Sequence, residues 1–228
     1  HLILADEFIQ LDVTPEFMEM FRVVIQLGAI LAVVCLYFSR LWPFRNQKEA
    51  SNAWERYVDM DKMVLWFKII VACLPAVAIG LPFDDLLEEK LYNYVVVALM
   101  LILYGILFLI IENYNAKRTP KVTDLKDLTF RTAFLIGVFQ VLSLIPGTSR
   151  SGSTIIGGIL LGTSRTVAAE FTFFLAIPVM FGASLLKLIK FGLHFTGAEA
   201  LILLVGMLTA FLVSILAIKF LMGYIKKH

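Results

Sequence analysis

The sequence predicts an all-α polytopic membrane protein that forms a single membrane domain over residues 1–228. The chain of 228 residues is 60% hydrophobic and its mean hydropathy is +0.86, which is more apolar than soluble domains are. Several apolar runs approach the roughly 20 residues that a helix needs to cross a bilayer. In addition, a polar loop interrupts the apolar stretch of residues 130–162, which predicts a hairpin of two short helices.

Each long apolar run predicts one membrane-spanning helix. Before the first run, Thr14 and Pro15 form a typical helix start, in which a capping hydroxyl is followed by proline in the first turn. We interpret the residues before the first run as an interfacial stretch that leads into a helix. Pro75 is expected to kink the second helix. The predicted spans are residues 23–42, 63–81, 91–111, 167–189 and 199–224.

The loops between these spans differ in charge. Residues 40–48 and 112–129 carry lysines and arginines, as does the C-terminal end at Lys226 and Lys227, and such loops are typical of the cytoplasmic side. Residues 83–90 are acidic. We therefore expect residues 83–90 to form a loop on the opposite side.

The polar loop reads PGTSRSGST and covers residues 146–154. The apolar runs on either side of it are each too short to cross about 30 Å at roughly 1.5 Å per residue. We therefore predict a re-entrant helical hairpin over residues 130–162. Three spans separate the N-terminal segment from this hairpin, so the two enter the membrane from opposite faces. That parity predicts an inverted-topology repeat.

The polar loop has the composition of an anion site. An ionisable residue at membrane depth is costly and marks a functional site by default, and Arg150 is such a residue. Its guanidinium carries five donors in a fork that fits a phosphate, and a helix that begins near Gly152 would add N–H groups and the positive end of its dipole. The alternative is an arginine paired with a buried carboxylate. The candidate phosphate-binding residues beside Arg150 are Gly147, Thr148, Ser149, Ser151, Gly152 and Thr154, and Ser153 is a further hydroxyl.

Other polar residues in the apolar runs have mainly structural interpretations. Gln26 and Gln140 are amides of the kind that usually bridges two membrane helices, although a place in the site stays open for both. Arg165 is interpreted as an interfacial anchor. Glu170 is placed in the first turn of its helix, where a carboxylate favours the dipole.

Composition also excludes several classes of function. Charged residues make up 17% of the chain and the net charge is +2, so the chain lacks the basic surface that binding to a nucleic acid requires. Cys35 and Cys73 lie in apolar runs, where a thiol behaves as a small hydrophobic group. Their spacing predicts neither a disulfide nor a zinc site.

At the polar loop and in the apolar runs around it, the chain resembles the bacterial undecaprenyl pyrophosphate phosphatase family, the integral membrane enzymes connected with bacitracin resistance. The family's second signature is similar to PGTSRSGST, and the segment after it is similar to GTSRTVAAEFTFFLAIPVM at residues 162–180. Further similarity is found in FRVVIQLGAILAVV at residues 21–34, LPAVAIG at residues 74–80 and LTFRTAFLIGVFQ at residues 128–140. The resemblance therefore covers nearly the whole chain.

The resemblance implies an enzyme that hydrolyses undecaprenyl diphosphate to undecaprenyl phosphate and inorganic phosphate, which recycles the lipid carrier of cell-wall synthesis. His1 matches the last residue of the family's first signature and would be a general acid or base, with Arg150 and Ser149 as further catalytic residues. The glutamates and the serine of that signature are expected before His1, and a last helix after residue 228. Those glutamates would bind a divalent cation, Mg²⁺ or Ca²⁺, or orient water, and the given residues show no metal site.

The resemblance also implies a location and partners. We expect a multi-pass protein of the bacterial plasma membrane, with its active site facing the outside, where the lipid substrate is released. The partners are this substrate and membrane lipid, and a homodimer is one candidate assembly. Whether the chemistry passes through a phosphoserine or through direct attack by water stays open.

Two other classes of function stay open. A transporter or flippase of polyprenyl phosphate lipids would also be built on an inverted repeat with broken helices, but it would need an anion site without a base or a nucleophile. A membrane scaffold is the third class, and it leaves Arg150 unexplained.

Overall fold

The computed structural model describes residues 13–44, 57–91, 94–115, 118–192 and 195–227. Within these ranges the regular structure is helical, apart from isolated bridges that join Phe44 to Val58 and Val122 to Thr163. The prediction of an all-α chain is thus confirmed. His1 lies outside the described residues.

The helices follow one another with short connections. In chain order they are α1 (Pro15–Val24), α2 (Gln26–Leu36), α3 (Phe38–Leu41), α4 (Met60–Leu91), α5 (Tyr94–Asn115), α6 (Phe130–Val141), α7 (Arg150–Leu160), α8 (Arg165–Phe191) and α9 (Gly197–Lys227). Two 3₁₀ turns, Leu125–Asp127 and Leu142–Leu144, precede and follow α6.

Five segments of the described chain are long and apolar enough to cross a membrane. They are Pro15–Leu36, Met60–Phe83, Val95–Asn115, Arg165–Phe191 and Gly197–Ile225. Each of them overlaps one of the five predicted spans, so the chain is a multi-pass membrane protein. The apolar segment Phe130–Leu144 is shorter and belongs to the hairpin.

The first span begins earlier than the hydropathy pattern predicted. Pro15 is its first residue, and the Thr14 hydroxyl caps it by accepting from the Phe17 N–H at 3.2 Å. The helix start predicted at Thr14 and Pro15 is thus confirmed, whereas the predicted start of the span at residue 23 was wrong, because the charged side chains before it lower the local hydropathy. One of them, Glu19, is neutralised by an ion pair with Lys187 of α8, so this polar part of the chain continues the helix.

The acidic loop predicted at residues 83–90 was also wrong. Helix α4 continues through Pro75 and Pro82 and ends at Leu91. Leucine, glutamate and lysine, which make up most of this segment, are good helix formers. Their intrinsic propensity extends the helix beyond the point at which its apolar character ends.

The hairpin predicted over residues 130–162 is confirmed as two short helices, α6 and α7, joined by the 3₁₀ turn and by non-helical residues 145–149. The two helices pack closely at Gly157. A Cβ atom on Gly157 would lie 2.5 Å from Cγ of Phe139, so only glycine permits this approach.

The chain divides into two compact units. The terminal unit comprises His1–Phe38 and Ala176–His228, and the central unit comprises Ser39–Leu175. In the terminal unit α2 packs against α9, and a Cβ atom on Gly28 would lie 2.1 Å from the carbonyl oxygen of Met207. The backbones of these two helices therefore touch.

In the central unit α4 packs along α6, and α6 packs on α7. The closest approach of the first pair is at Gly137, where a Cβ atom would lie 2.2 Å from the carbonyl oxygen of Ala72. A smaller apolar cluster joins α5 to α7 through Tyr104, Ile156 and Ile159. Helix α7 is thus held between α5 and α6.

Candidate active site

Helix α7 begins within the polar loop, so residues 150–154 of the loop are helical. Ser149 is the N-cap of α7, and its Oγ accepts a hydrogen bond from the N–H of Gly152 at 3.1 Å. The helix begins at Arg150, two residues before the predicted position near Gly152. Since the first N–H groups of a helix have no partner within it, the N–H groups of Arg150 and Ser151 stand at its positive end.

The Arg150 side chain has buried donors without partners. Its Nε and Nη1 atoms are buried and have no hydrogen-bond partner among the described residues, and the same holds for Oγ1 of Thr148. Leaving a buried donor unsatisfied costs about 1–3 kcal/mol. The described carboxylates therefore give no support to a structural ion pair for Arg150, and its donors are suited to an anion that binds from outside the protein.

Two hydroxyls of the polar loop anchor α7 to neighbouring helices. Ser153 Oγ lies 2.9 Å from the hydroxyl of Tyr104 on α5 and 3.1 Å from the carbonyl oxygen of Ser149. Thr172 on α8 donates to Thr154 Oγ1 at 2.9 Å, and Thr154 in turn donates to the carbonyl oxygen of Arg150 at 3.0 Å. Phosphate binding by Thr154 stays a prediction, although its single O–H proton already has an acceptor.

Tyr104 and Thr172 are site residues that sequence reasoning missed. The only signal for them is a hydroxyl in a long apolar run, and many such hydroxyls bond to their own helix. Thr209 on α9, for example, donates to the carbonyl oxygen of Val205. The sequence alone does not distinguish the two kinds.

The two glycines of the polar loop lie against α5. Gly147 has a φ of +88°, and a Cβ atom on it would lie 2.7 Å from Cα of Val97. A Cβ atom on Gly152 would lie 3.1 Å from the ring of Phe108. Both glycines therefore allow the loop to pack closely, and their contact with a ligand stays a prediction.

Ser149 and Ser151 are the serines best placed for a ligand. Ser149 is exposed and Ser151 is partly buried. A hydroxyl that accepts one hydrogen bond still has its proton to donate, so capping α7 leaves Ser149 able to bond to a phosphoryl oxygen. Their roles in binding or catalysis stay predictions.

The two amides singled out from the sequence differ. Gln26 donates from Nε2 to the carbonyl oxygen of Arg22 at 3.1 Å within the same helical segment. Gln140 is 1% exposed, and neither Nε2 nor Oε1 has a partner among the described residues. The interpretation of Gln140 as a bridge between helices is therefore wrong within the described part of the chain.

Arg165 and Glu170 form ion pairs within the central unit. Arg165, at the start of α8, pairs with Glu112 of α5. Glu170 is buried and pairs with Arg40 of α3. It is the sixth residue of α8, so its predicted place in the first turn was wrong, and Arg40 balances its charge instead of the helix dipole.

The described residues do not form a metal site on their own. In the ranges that the structure covers, no three or more His, Cys, Asp or Glu side chains lie together in a way that could hold a metal ion. The expected Mg²⁺ or Ca²⁺ therefore does not fit these residues alone, and its requirement stays a prediction. The role of His1 stays a prediction for the reason given above.

Comparisons with known proteins agree with one another. The family described as bacitracin resistance protein BacA matches residues 1–228. A protein of Lachnoclostridium phytofermentans named undecaprenyl-diphosphatase is 61% identical over 228 residues, which are 100% of this chain and 81% of that protein. Proteins of Desulfitobacterium hafniense, named undecaprenyl-diphosphatase, and of Clostridium acetobutylicum, named undecaprenyl-diphosphatase 1, are 61% and 58% identical. They cover 100% of this chain, which in turn covers 80% and 81% of them.

Proposed function

Because the chain belongs to the BacA bacitracin resistance protein family, we propose that it is an undecaprenyl-diphosphatase that holds the diphosphate of its substrate at the start of α7. The observation that carries this assignment of the site is Arg150, whose Nε and Nη1 are buried and lack partners among the described residues. A diphosphate supplies the acceptors that these donors need.

The reaction transfers a phosphoryl group from the lipid diphosphate to water. The oxygen of water bonds to the terminal phosphorus while the bond from this phosphorus to the bridging oxygen breaks. The bridging oxygen stays on undecaprenyl phosphate, one proton of the water is released, and inorganic phosphate is the second product. Catalysis of this kind consists mostly of positioning and stabilising charge.

The start of α7 is suited to that task. Arg150 keeps its positive charge at all accessible pH values and binds two phosphoryl oxygens at once. The free N–H groups of the first turn and the dipole of α7 add to the same field. Thr148 and Ser149 donate further hydrogen bonds to the phosphoryl oxygens. Together these donors stabilise the charge that develops on the bridging oxygen.

The remaining parts of the proposal rest on the family resemblance. His1 acts as the general acid or base, and a divalent cation is required. The protein lies in the bacterial plasma membrane and its site faces the outside. The polyprenyl tail of the substrate stays in the bilayer beside the apolar helices.

Phosphate release from a polyprenyl diphosphate tests the proposal. Full-length protein in detergent is compared with Arg150→Ala and Arg150→Lys, with and without EDTA. We expect kcat to fall by about 10²–10³ in Arg150→Ala, as it does when a donor to a developing anion is removed. Lysine keeps the charge but loses the fork, so Arg150→Lys should fall between the wild type and alanine.

The matched control is Arg118→Ala, which removes an exposed arginine that stacks on Tyr114 outside the site and should keep full activity. If folded full-length protein supplied with Mg²⁺ or Ca²⁺ releases no phosphate, the proposed function is wrong.

A further inference from the structure

Helix α6 turns a buried face toward α4. Ala133, Ile136, Gly137 and Gln140 are its buried residues, and their spacing places them on one side of the helix. Gly137 is the point of contact with Ala72 of α4. Gln140 lies one turn further along the same face, so its carboxamide is enclosed within the central unit.

The enclosed carboxamide of Gln140 has neither donor nor acceptor partner among the described residues. In native proteins most buried polar side chains are hydrogen-bonded, and an exception needs an explanation. A hydroxyl is close by, but Ser143 donates to the backbone carbonyl of Gln140 at 2.6 Å and not to its side chain. The partner of the carboxamide is therefore not supplied by the neighbouring turn.

The 3₁₀ turn Leu142–Leu144, which follows Gln140 and leads toward Arg150, packs against both α4 and α7. Gln140 precedes this turn and follows Gly137, which contacts Ala72 of α4. Further along, a Cβ atom on Gly80 would lie 3.4 Å from Leu144 in the 3₁₀ turn after α6. Helices α4 and α6 thus run in the same direction, and Gln140 lies between these two contacts.

From this juxtaposition we infer that Gln140 is a further residue of the phosphate site. Its Nε2 donates a hydrogen bond to the phosphate that Arg150 binds, and its Oε1 accepts one from the attacking water. A carboxamide has two N–H donors and one acceptor oxygen, and hydrolysis of a diphosphate brings a phosphoryl oxygen for the donors and a water for the acceptor. The inference rests on the proposed diphosphatase function.

The first test is Gln140→Leu, which keeps a similar volume and removes both unpaired groups. Replacing an unsatisfied polar group by an apolar one is neutral or stabilising, so the melting temperature should stay the same or rise. Phosphate release should nevertheless fall by about 10- to 100-fold in kcat/KM, since a hydrogen bond to a charged group is lost.

Two further variants separate a role in binding from a role in folding. Gln140→Glu keeps the shape and the acceptor but replaces the donor by a negative charge, and it should lose more activity than Gln140→Leu. The matched control is Ser143→Ala, one turn further along the chain. Among the described residues its hydroxyl donates to a backbone carbonyl, so activity should stay within about twofold, because the loss of one neutral hydrogen bond outside the ligand site has a small effect.

A binding measurement makes the inference independent of turnover. Inorganic diphosphate should raise the melting temperature of the wild type by mass action, and this rise should be smaller in Gln140→Leu. The inference is overturned if Gln140→Leu keeps wild-type activity, or if the rise with diphosphate is undiminished. It is also overturned if the melting temperature of Gln140→Leu falls in step with activity, because that marks a packing role. Failure of the proposed function is distinct, since then the wild type itself releases no phosphate.

Discussion

The anchor of α7 to α5 allows a prediction whose magnitude follows from hydrogen-bond geometry. The hydroxyl of Ser153 has two acceptors, the Tyr104 hydroxyl at 2.9 Å and the Ser149 carbonyl oxygen at 3.1 Å. In Tyr104→Phe the Ser153 proton turns to the carbonyl oxygen, so no buried donor is orphaned. In Ser153→Ala the Tyr104 hydroxyl, on a residue that is 8% exposed, loses its partner.

The two single variants should therefore differ in stability. We expect Tyr104→Phe to lose one net hydrogen bond, about 1 kcal/mol, and Ser153→Ala to lose about 2 kcal/mol because a buried polar group is left unsatisfied. For a chain of this size 1 kcal/mol corresponds to about 2–4 °C in melting temperature. Circular dichroism of the protein in detergent during heating measures the difference.

The double variant is the decisive comparison. Adding Tyr104→Phe to Ser153→Ala removes the orphaned hydroxyl, so the double variant should melt above Ser153→Ala alone. Double-mutant cycles of residues in contact show such coupling. Should the double variant instead melt lower, by the sum of both losses, the two hydroxyls do not act as a pair and the anchor as described is refuted. Activity should fall in the same order as stability, because α7 carries Arg150.

Two further contacts of the central unit give predictions of the same kind. Gly137→Ala places a methyl group against the Ala72 carbonyl oxygen and should lower the melting temperature by about 5–10 °C. A Cβ atom on Gly105 would have no neighbour within 4 Å, so the control Gly105→Ala should melt at or above the wild type. Equal melting temperatures of the two variants would contradict the close packing at Gly137. Arg40→Ala leaves the buried carboxylate of Glu170 without its partner and should destabilise by about 3 kcal/mol, more than Glu170→Gln, because the Arg40 side chain is 54% exposed and stays hydrated. Thermal unfolding of the two variants side by side checks this order, and the reverse order would show that Arg40 is the dependent partner.

The spans were predictable from the sequence because hydropathy over about 20 residues is a strong signal. Their ends were less so. The helix start at Pro15 follows from the Thr14–Pro15 pattern, but the pairing of Glu19 with Lys187, 168 positions away, is shown by no local pattern. The end of α4 at Leu91 depends on helix propensity in an acidic segment, whereas the charge of that segment predicts a loop.

Arg150 and the polar loop of the candidate site were predictable from the sequence, but the residues of other helices that contact α7 were not. Arg150 stands out because an arginine inside an apolar stretch has few structural uses, and the turn residues around it predict a break between helices. Tyr104 and Thr172 were not predictable, since their importance comes from reaching α7 across space. Gln140 was visible as a polar residue, but only the structure shows that its carboxamide lacks a partner among the described residues.

Three contacts fix the start of α7, two of them to α5 and one to α8. Gly147 packs on the backbone of α5 at Val97, Ser153 bonds to Tyr104, and Thr154 bonds to Thr172 of α8. Under the proposed function, the backbone that carries Arg150 and the N–H groups of the first turn is therefore held in place before a lipid binds, as electrostatic preorganisation requires. We therefore expect the proposed site to bind a lipid headgroup without first closing around it.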